Sequence, residues 1–174
     1  MYTLTPDEKA TPVMIYTQNT LIRGDAVTRQ TIRVSIWLRT EGAPEYLHVL
    51  KPQIIFLNSS PPRAISYAEI YQPLVQVIAF HMTPPARDPL DYEESEKNRV
   101  MQPVSVQVGT FIFNGALRIS TQVDIGTSIA SNARIAWLSL YDAKVSNPNI
   151  PQMGEMSVPM LLIRPAQVGF AIQS

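Results

Sequence analysis

The sequence predicts an all-β fold arranged as two tandem copies of one small five-stranded unit of about 70 residues. Three observations carry this expectation. Short runs such as Val13 to Thr17 and Val104 to Val108 alternate apolar with polar residues, the period of a half-buried strand. The next apolar run in each half contains one glycine, Gly24 or Gly115, where a strand would bulge or bend. Sliding the chain on itself by 91 positions then superposes both halves without a gap from residue 12 to residue 83. In that register Pro12 falls on Pro103, Gly24 on Gly115, Leu47 on Leu138, and Gln76-Val77 on Gln167-Val168, while apolar classes follow elsewhere.

Each element follows from its composition. Val13 to Thr17 and Val104 to Val108 open the copies, followed by Leu21 to Val27 and Phe111 to Ile119. The third strands are expected over Ile32 to Leu38 and Val123 to Ile129, with Val34, Ile36 and Leu38, or Ile125, Thr127 and Ile129, facing inward. That leaves Arg33, Ser35, Trp37 and Arg39 outside. The fourth strands, Tyr46 to Val49 and Ala136 to Tyr141, bury Leu47, Val49, Leu138 and Leu140. Their other face carries Tyr46, His48, Leu50, Trp137, Ser139 and Tyr141. The last strands, Ile70 to Phe80 and Met160 to Ile172, are each interrupted by one proline, Pro73 or Pro165, which marks an edge or a kink.

The copies are assigned to residues 1–83 and 100–174. The linker, 84–99, is rich in proline and acid. Asp88-Pro89 followed by Asp91, Glu93 and Glu94 has the cap, first-turn proline and acidic turn of a short helix. Thr5-Pro6-Asp7-Glu8 carries the same signal before the first copy. A solvated linker of this kind predicts that removing its charges leaves stability almost unchanged.

Composition narrows the functions. Fourteen basic and fourteen acidic residues give no net charge, so no global attraction draws the chain to nucleic acid or anionic membrane. Zero cysteines exclude disulfides, thiolate chemistry and cysteine metal sites. His48 and His81 are the two histidines, and neither has a companion at ligand spacing. No GxSxG elbow and no glycine-rich phosphate loop is present, so no catalytic, cofactor or metal residue is assigned, and an enzyme is not expected. The start of the sequence has no signal-like apolar segment and no run nears 18 apolar residues, which predicts a cytoplasmic protein without a membrane partner.

Two sets of surface residues remain. Arg23, Arg29, Arg33, Arg39 and Arg63 concentrate in the first copy and form the candidate anion or nucleic-acid contact. Arg29 and Arg33 have the RxxxR spacing with which PilZ-type barrels hold a cyclic dinucleotide, although Arg63 stands where their second motif needs glycine. Trp37, Tyr46, Trp137 and Tyr141 form a candidate aromatic interface; the ordinary alternative is that such aromatics lie under the linker or between the two modules. The charged fraction of 16% is low beside an apolar fraction of 45%, which favours association with other copies.

The order IYTQNTLIRG, TIRVSIWLRT, PEYLHVLKPQII and a last strand through QVIAF, with WLSLYDAKV at Trp137 to Val145, resembles a prokaryotic domain family of unknown function with an Sm-like small β-barrel fold. The resemblance covers both copies and implies two tandem Sm-like barrels related by internal duplication. Sm-like proteins often form rings by pairing their last strands and bind RNA on aromatics, so it also implies assembly through barrel edges. The Asp-x-x-x-Asn loop of RNA-binding members is absent here. The leading expectation is a structural or interaction protein that forms a homo-oligomer through its edges. The alternative is an RNA or cyclic-dinucleotide binder that uses the arginines of the first copy.

Overall fold

A computed structural model of the chain describes residues 2–172, and the chain divides into two compact units, Met1–Asp88 and Pro89–Ser174. Both are built from antiparallel strands. The first holds β1 (Glu8–Tyr16), β2 (Thr20–Arg29), α1 (Val34–Leu38), β3 (Tyr46–Phe56), β4 (Arg63–Ser66), β5 (Glu69–Pro73) and β6 (Ala79–Met82). The second holds β7 (Arg99–Val108), β8 (Phe111–Ser120), α2 (Ile125–Asn132), β9 (Leu138–Ser146), β10 (Met156–Ile163) and β11 (Gly169–Ile172).

The two units share one pairing scheme. In the first, β6 pairs β1, β1 pairs β2, β2 pairs β3, and β3 pairs both β4 and β5. In the second, β11 pairs β7, β7 pairs β8, β8 pairs β9, and β9 pairs β10. Strand β10 thus takes the place of β4 and β5 together. Neither ladder closes on itself by strand pairing among the described residues.

Irregularities recur at matching places, which simple alternation of apolar residues would not produce. The β2–β3 register shifts between Arg23 and Asp25, and the β8–β9 register between Asn114 and Ala116. Lys51 and Asp142 both adopt a left-handed backbone, at φ 48°, a region that non-glycine residues seldom enter. At each shift the glycine lets a neighbouring strand come close. A Cβ on Gly24 would lie 2.6 Å from Val49 Cγ1 and 2.9 Å from the Leu50 carbonyl; one on Gly115 would lie 2.8 Å from the Tyr141 carbonyl and 3.0 Å from Leu140 Cγ. The 91-residue offset ends before the last strand. Ile15 pairs Phe80 whereas Val106 pairs Phe170, so β11 sits one residue nearer than the offset requires.

The expected third strands are helices. Val34 and Leu38, four residues apart, are buried together on one side of α1, while Ile36 is 51% exposed. In α2, Ile125 and Ile129 are half-buried at the same spacing and Thr127 is exposed. The Asp124 carboxylate caps α2, accepting from the Thr127 N–H at 3.0 Å and from its hydroxyl at 2.6 Å. These bonds hold its pKa below the ordinary carboxylate value. Apolar residues two apart suggest a strand, but the burial follows the pairs four apart.

The last strands are bent rather than continuous. After Pro73 a 3₁₀ turn, Leu74–Gln76, separates β5 from β6; Pro165 opens the turn Pro165–Gln167 between β10 and β11. Each proline therefore carries the chain from one end of its ladder to the other.

No helix forms across 84–99. Asp88 and Asp91 spend their carboxylates elsewhere instead of capping a helix: Asp88 accepts from the Ser35 hydroxyl, and Asp91 from two side chains of β9. Thr5 likewise opens a turn, with Glu8 N–H donating to its carbonyl, and Glu8 already begins β1.

Each unit has an aliphatic and aromatic core. Val13, Ile15, Tyr16, Leu47, Val49 and Phe80 are inaccessible in the first; Val104, Val106, Phe111, Phe113, Leu140 and Ile163 are in the second. Leu138, expected in the core with Leu47, is only half-buried. No described helix is long and apolar enough to cross a membrane.

Candidate functional site

Pairing of β3 with β5 builds an aromatic face on the first unit. Tyr46 lies opposite Pro73, His48 opposite Tyr71, and Leu50 opposite Glu69. Alternation sends all six side chains to one face. Tyr71 stacks on the His48 ring, centroids 4.4 Å apart, and Glu69 Oε2 lies 2.8 Å from His48 Nε2. Tyr2, ahead of β1, meets His48 edge-on at 4.5 Å and donates its hydroxyl to Glu8 at 2.9 Å. The Thr5 N–H also donates to Glu8, and these bonds lower the Glu8 pKa; the Glu8 carboxylate raises that of Tyr2. Tyr46 and Tyr71 remain 53% and 55% exposed. Of this set the sequence singled out Tyr46; Tyr71 and Tyr2 were missed because their contacts with His48 depend on pairing across the fold.

The corresponding face of the second unit is covered by its own chain. Ser139 and Tyr141 donate to Asp91 at 2.6 Å and 2.5 Å, and Tyr92 meets Tyr141 edge-on at 4.9 Å. Arg118 lies 4.5 Å above the Tyr92 ring, donating 2.5 Å to Glu96 and 2.8 Å to the Glu93 carbonyl. Arg164 covers Trp137 at 4.3 Å, and burial lowers its pKa. Trp137 and Tyr141 consequently fall to 7% and 6% exposed. Both are buried, Trp137 beneath Arg164 and Tyr141 against Asp91 and Tyr92, so the linker packs on β9 rather than being merely solvated.

The five arginines are distributed over β2, the two ends of α1 and β4. Arg29 lines a cleft of about 410 Å³ with Ile32, Trp37, Thr40 and Gly42. Trp37, half-buried on α1, donates its indole N–H to the Gly42 carbonyl at 2.9 Å. Arg23 lines a separate cleft of about 420 Å³ with Asp25 and Lys51. Arg33 and Arg39 flank α1 at its two ends, and Arg63 opens β4. All five are exposed. Arg33, expected to act with Arg29, is not among the residues that line the Arg29 cleft.

His81 lies in the core of the first unit, 2% exposed. Its Nδ1 lies 2.8 Å from the Met82 carbonyl, an obligate acceptor, so Nδ1 carries the proton and Nε2 accepts from the Tyr16 hydroxyl at 3.0 Å. Burial pushes the His81 pKa down to about 4 and raises that of Tyr16. Among the described residues, no group of three or more acidic or histidine side chains is placed to hold a metal ion. Compared with known protein families, with curated proteins and with solved structures, the chain matches none.

Proposed function

We propose that the chain is a structural interaction protein, a tandem duplication of Sm-like small barrels, which docks a protein partner on the β3–β5 face of its first unit. The observation that carries the docking is the contrast between the two faces: Tyr46 and Tyr71 are open where Trp137 and Tyr141 are covered. Exposed aromatics with a nearby charged rim are typical of contact surfaces. The duplication is supported by the shared pairing scheme, the matched register shifts and the matched left-handed residues. Edge pairing into a homo-oligomer has weaker support, because three of the strands that end the two ladders, β4, β6 and β11, are only four residues each, and short edges resist strand addition.

A photocrosslinking amino acid in place of Tyr46 tests the docking. A discrete protein adduct in cells, absent when the crosslinker replaces exposed Glu155 of the second unit, is expected. An adduct at twice the chain mass would make the partner a second copy. Absence of any discrete adduct at position 46 would overturn the docking.

A second reading, a nucleotide or RNA binder, draws on the cleft that Arg29 and Trp37 both line. A base could stack there with its phosphate on the arginine. Titration with a short RNA and a cyclic dinucleotide at low and moderate salt tests it, and no binding at low salt ends it.

A further inference from the structure

We infer that the β3–β5 face of the first unit receives a guanidinium group, the side chain of an arginine carried by a basic segment of a protein partner. The inference rests on reading that face as a docking surface. The second unit shows what the geometry accepts, since there two guanidinium groups of the same chain rest on aromatic rings, Arg164 on Trp137 and Arg118 on Tyr92. By strand register Trp137 corresponds to Tyr46 and Arg164 to Pro73, because Tyr46 faces Pro73 while Trp137 and Arg164 flank the paired Leu138 and Ile163. Tyr92, ahead of β7, meets Tyr141 edge-on much as Tyr2, ahead of β1, meets His48. The position of Arg118 in β8 is held in β2 by Val27.

The first unit thus keeps the rings, and among the described residues no lysine or arginine lies over them. Its strands also carry acid at two positions where those of the second unit do not: Glu69 stands where the second unit has Met160, and exposed Glu45 where it has Ala136. On this face neither β3 (Tyr46, His48, Leu50) nor β5 (Glu69, Tyr71, Pro73) supplies a lysine or arginine. Aromatic rings beside exposed carboxylates, here Glu45 and the Glu69 that also holds His48, attract a cation. A guanidinium fits better than an ammonium, because its plane stacks on a ring while its edge donates to a carboxylate.

The test titrates the full chain with a short arginine peptide, with its citrulline counterpart of the same shape and no charge, and with the lysine form, following ring signals of Tyr46, His48 and Tyr71 by NMR. The arginine peptide is expected to bind about tenfold more tightly than the citrulline peptide, with lysine between them. Tyr46→Ser or Tyr71→Ser should weaken it about fivefold, with folding checked by circular dichroism. Pro73→Arg, which places an arginine opposite Tyr46 as in the second unit, should block it. Equal binding of the arginine and citrulline peptides, no binding, or shifts confined to other residues would overturn the inference. Any of these together with a discrete adduct at position 46 would leave the docking face standing, whereas loss of the adduct removes both.

Discussion

Acid should weaken the first unit through one residue. His81 is neutral in the core, its pKa pushed down to about 4 by burial, against an ordinary value of 6.5. Above about pH 6.5 both the folded and the unfolded chain leave it neutral, so its contribution to stability is complete there. Between about 6.5 and about 4 the unfolded chain binds a proton that the folded chain refuses, and stability falls as pH falls. A shift of this size, at about 1.36 kcal/mol per pH unit, amounts to a loss of about 3 kcal/mol by pH 4. Glu8 and Asp124, whose pKa values are lowered, add losses only below the ordinary carboxylate range. Urea unfolding at pH 7, 5.5 and 4.5, followed by tryptophan fluorescence, reads the slope. The double variant Tyr16→Phe, His81→Leu removes both partners of the buried hydrogen bond and should flatten that slope at little cost at pH 7. Stability that is level from pH 7 to 4.5, or a double variant as acid-sensitive as the parent chain, would refute the reasoning.

Gly24→Ala and Gly115→Ala should each cost about 1 to 3 kcal/mol, since the new Cβ meets backbone or core atoms within 3 Å. Gly42→Ala, with nothing nearer than 3.8 Å, should stay within about 0.5 kcal/mol. Leu47→Ala should cost about 2 to 5 kcal/mol in thermal or urea unfolding, whereas half-buried Leu138 should cost clearly less, and equal losses would refute the burial contrast. Asp91→Ala removes the carboxylate that accepts from the Tyr141 and Ser139 hydroxyls and should cost about 1 to 3 kcal/mol. A cost within about 0.5 kcal/mol would restore the solvated linker.

Much of the strand pattern was legible because a period of two is local, and the glycine bends were legible because a missing side chain marks a close approach. The helices were not. Val34-Ser35-Ile36-Trp37-Leu38 alternates like a strand, and only the burial of Val34 with Leu38 reveals the turn. For α2 a signal was present, since Asp124 three residues before Thr127 is a cap. At the site, Tyr46 was visible as an aromatic on an outward parity, but no local pattern brings Tyr71 or Tyr2 to His48. The covering of Trp137 and Tyr141 was equally hidden, because Asp91 and Tyr92 lie more than 40 positions earlier in the chain. Acidic residues in a proline-rich stretch look solvated until their acceptors are known.

Hydroxyl-radical footprinting tests the central contrast most directly, by reading side-chain accessibility one residue at a time in the isolated chain and again in its own cells. The docking account predicts strong labelling of Tyr46 and Tyr71 in the isolated chain, reduced labelling of both in cells, and little labelling of Trp137 and Tyr141 in either. Tyr46 and Tyr71 as protected as Trp137 in the isolated chain, or labelled equally in cells and in isolation, would contradict it.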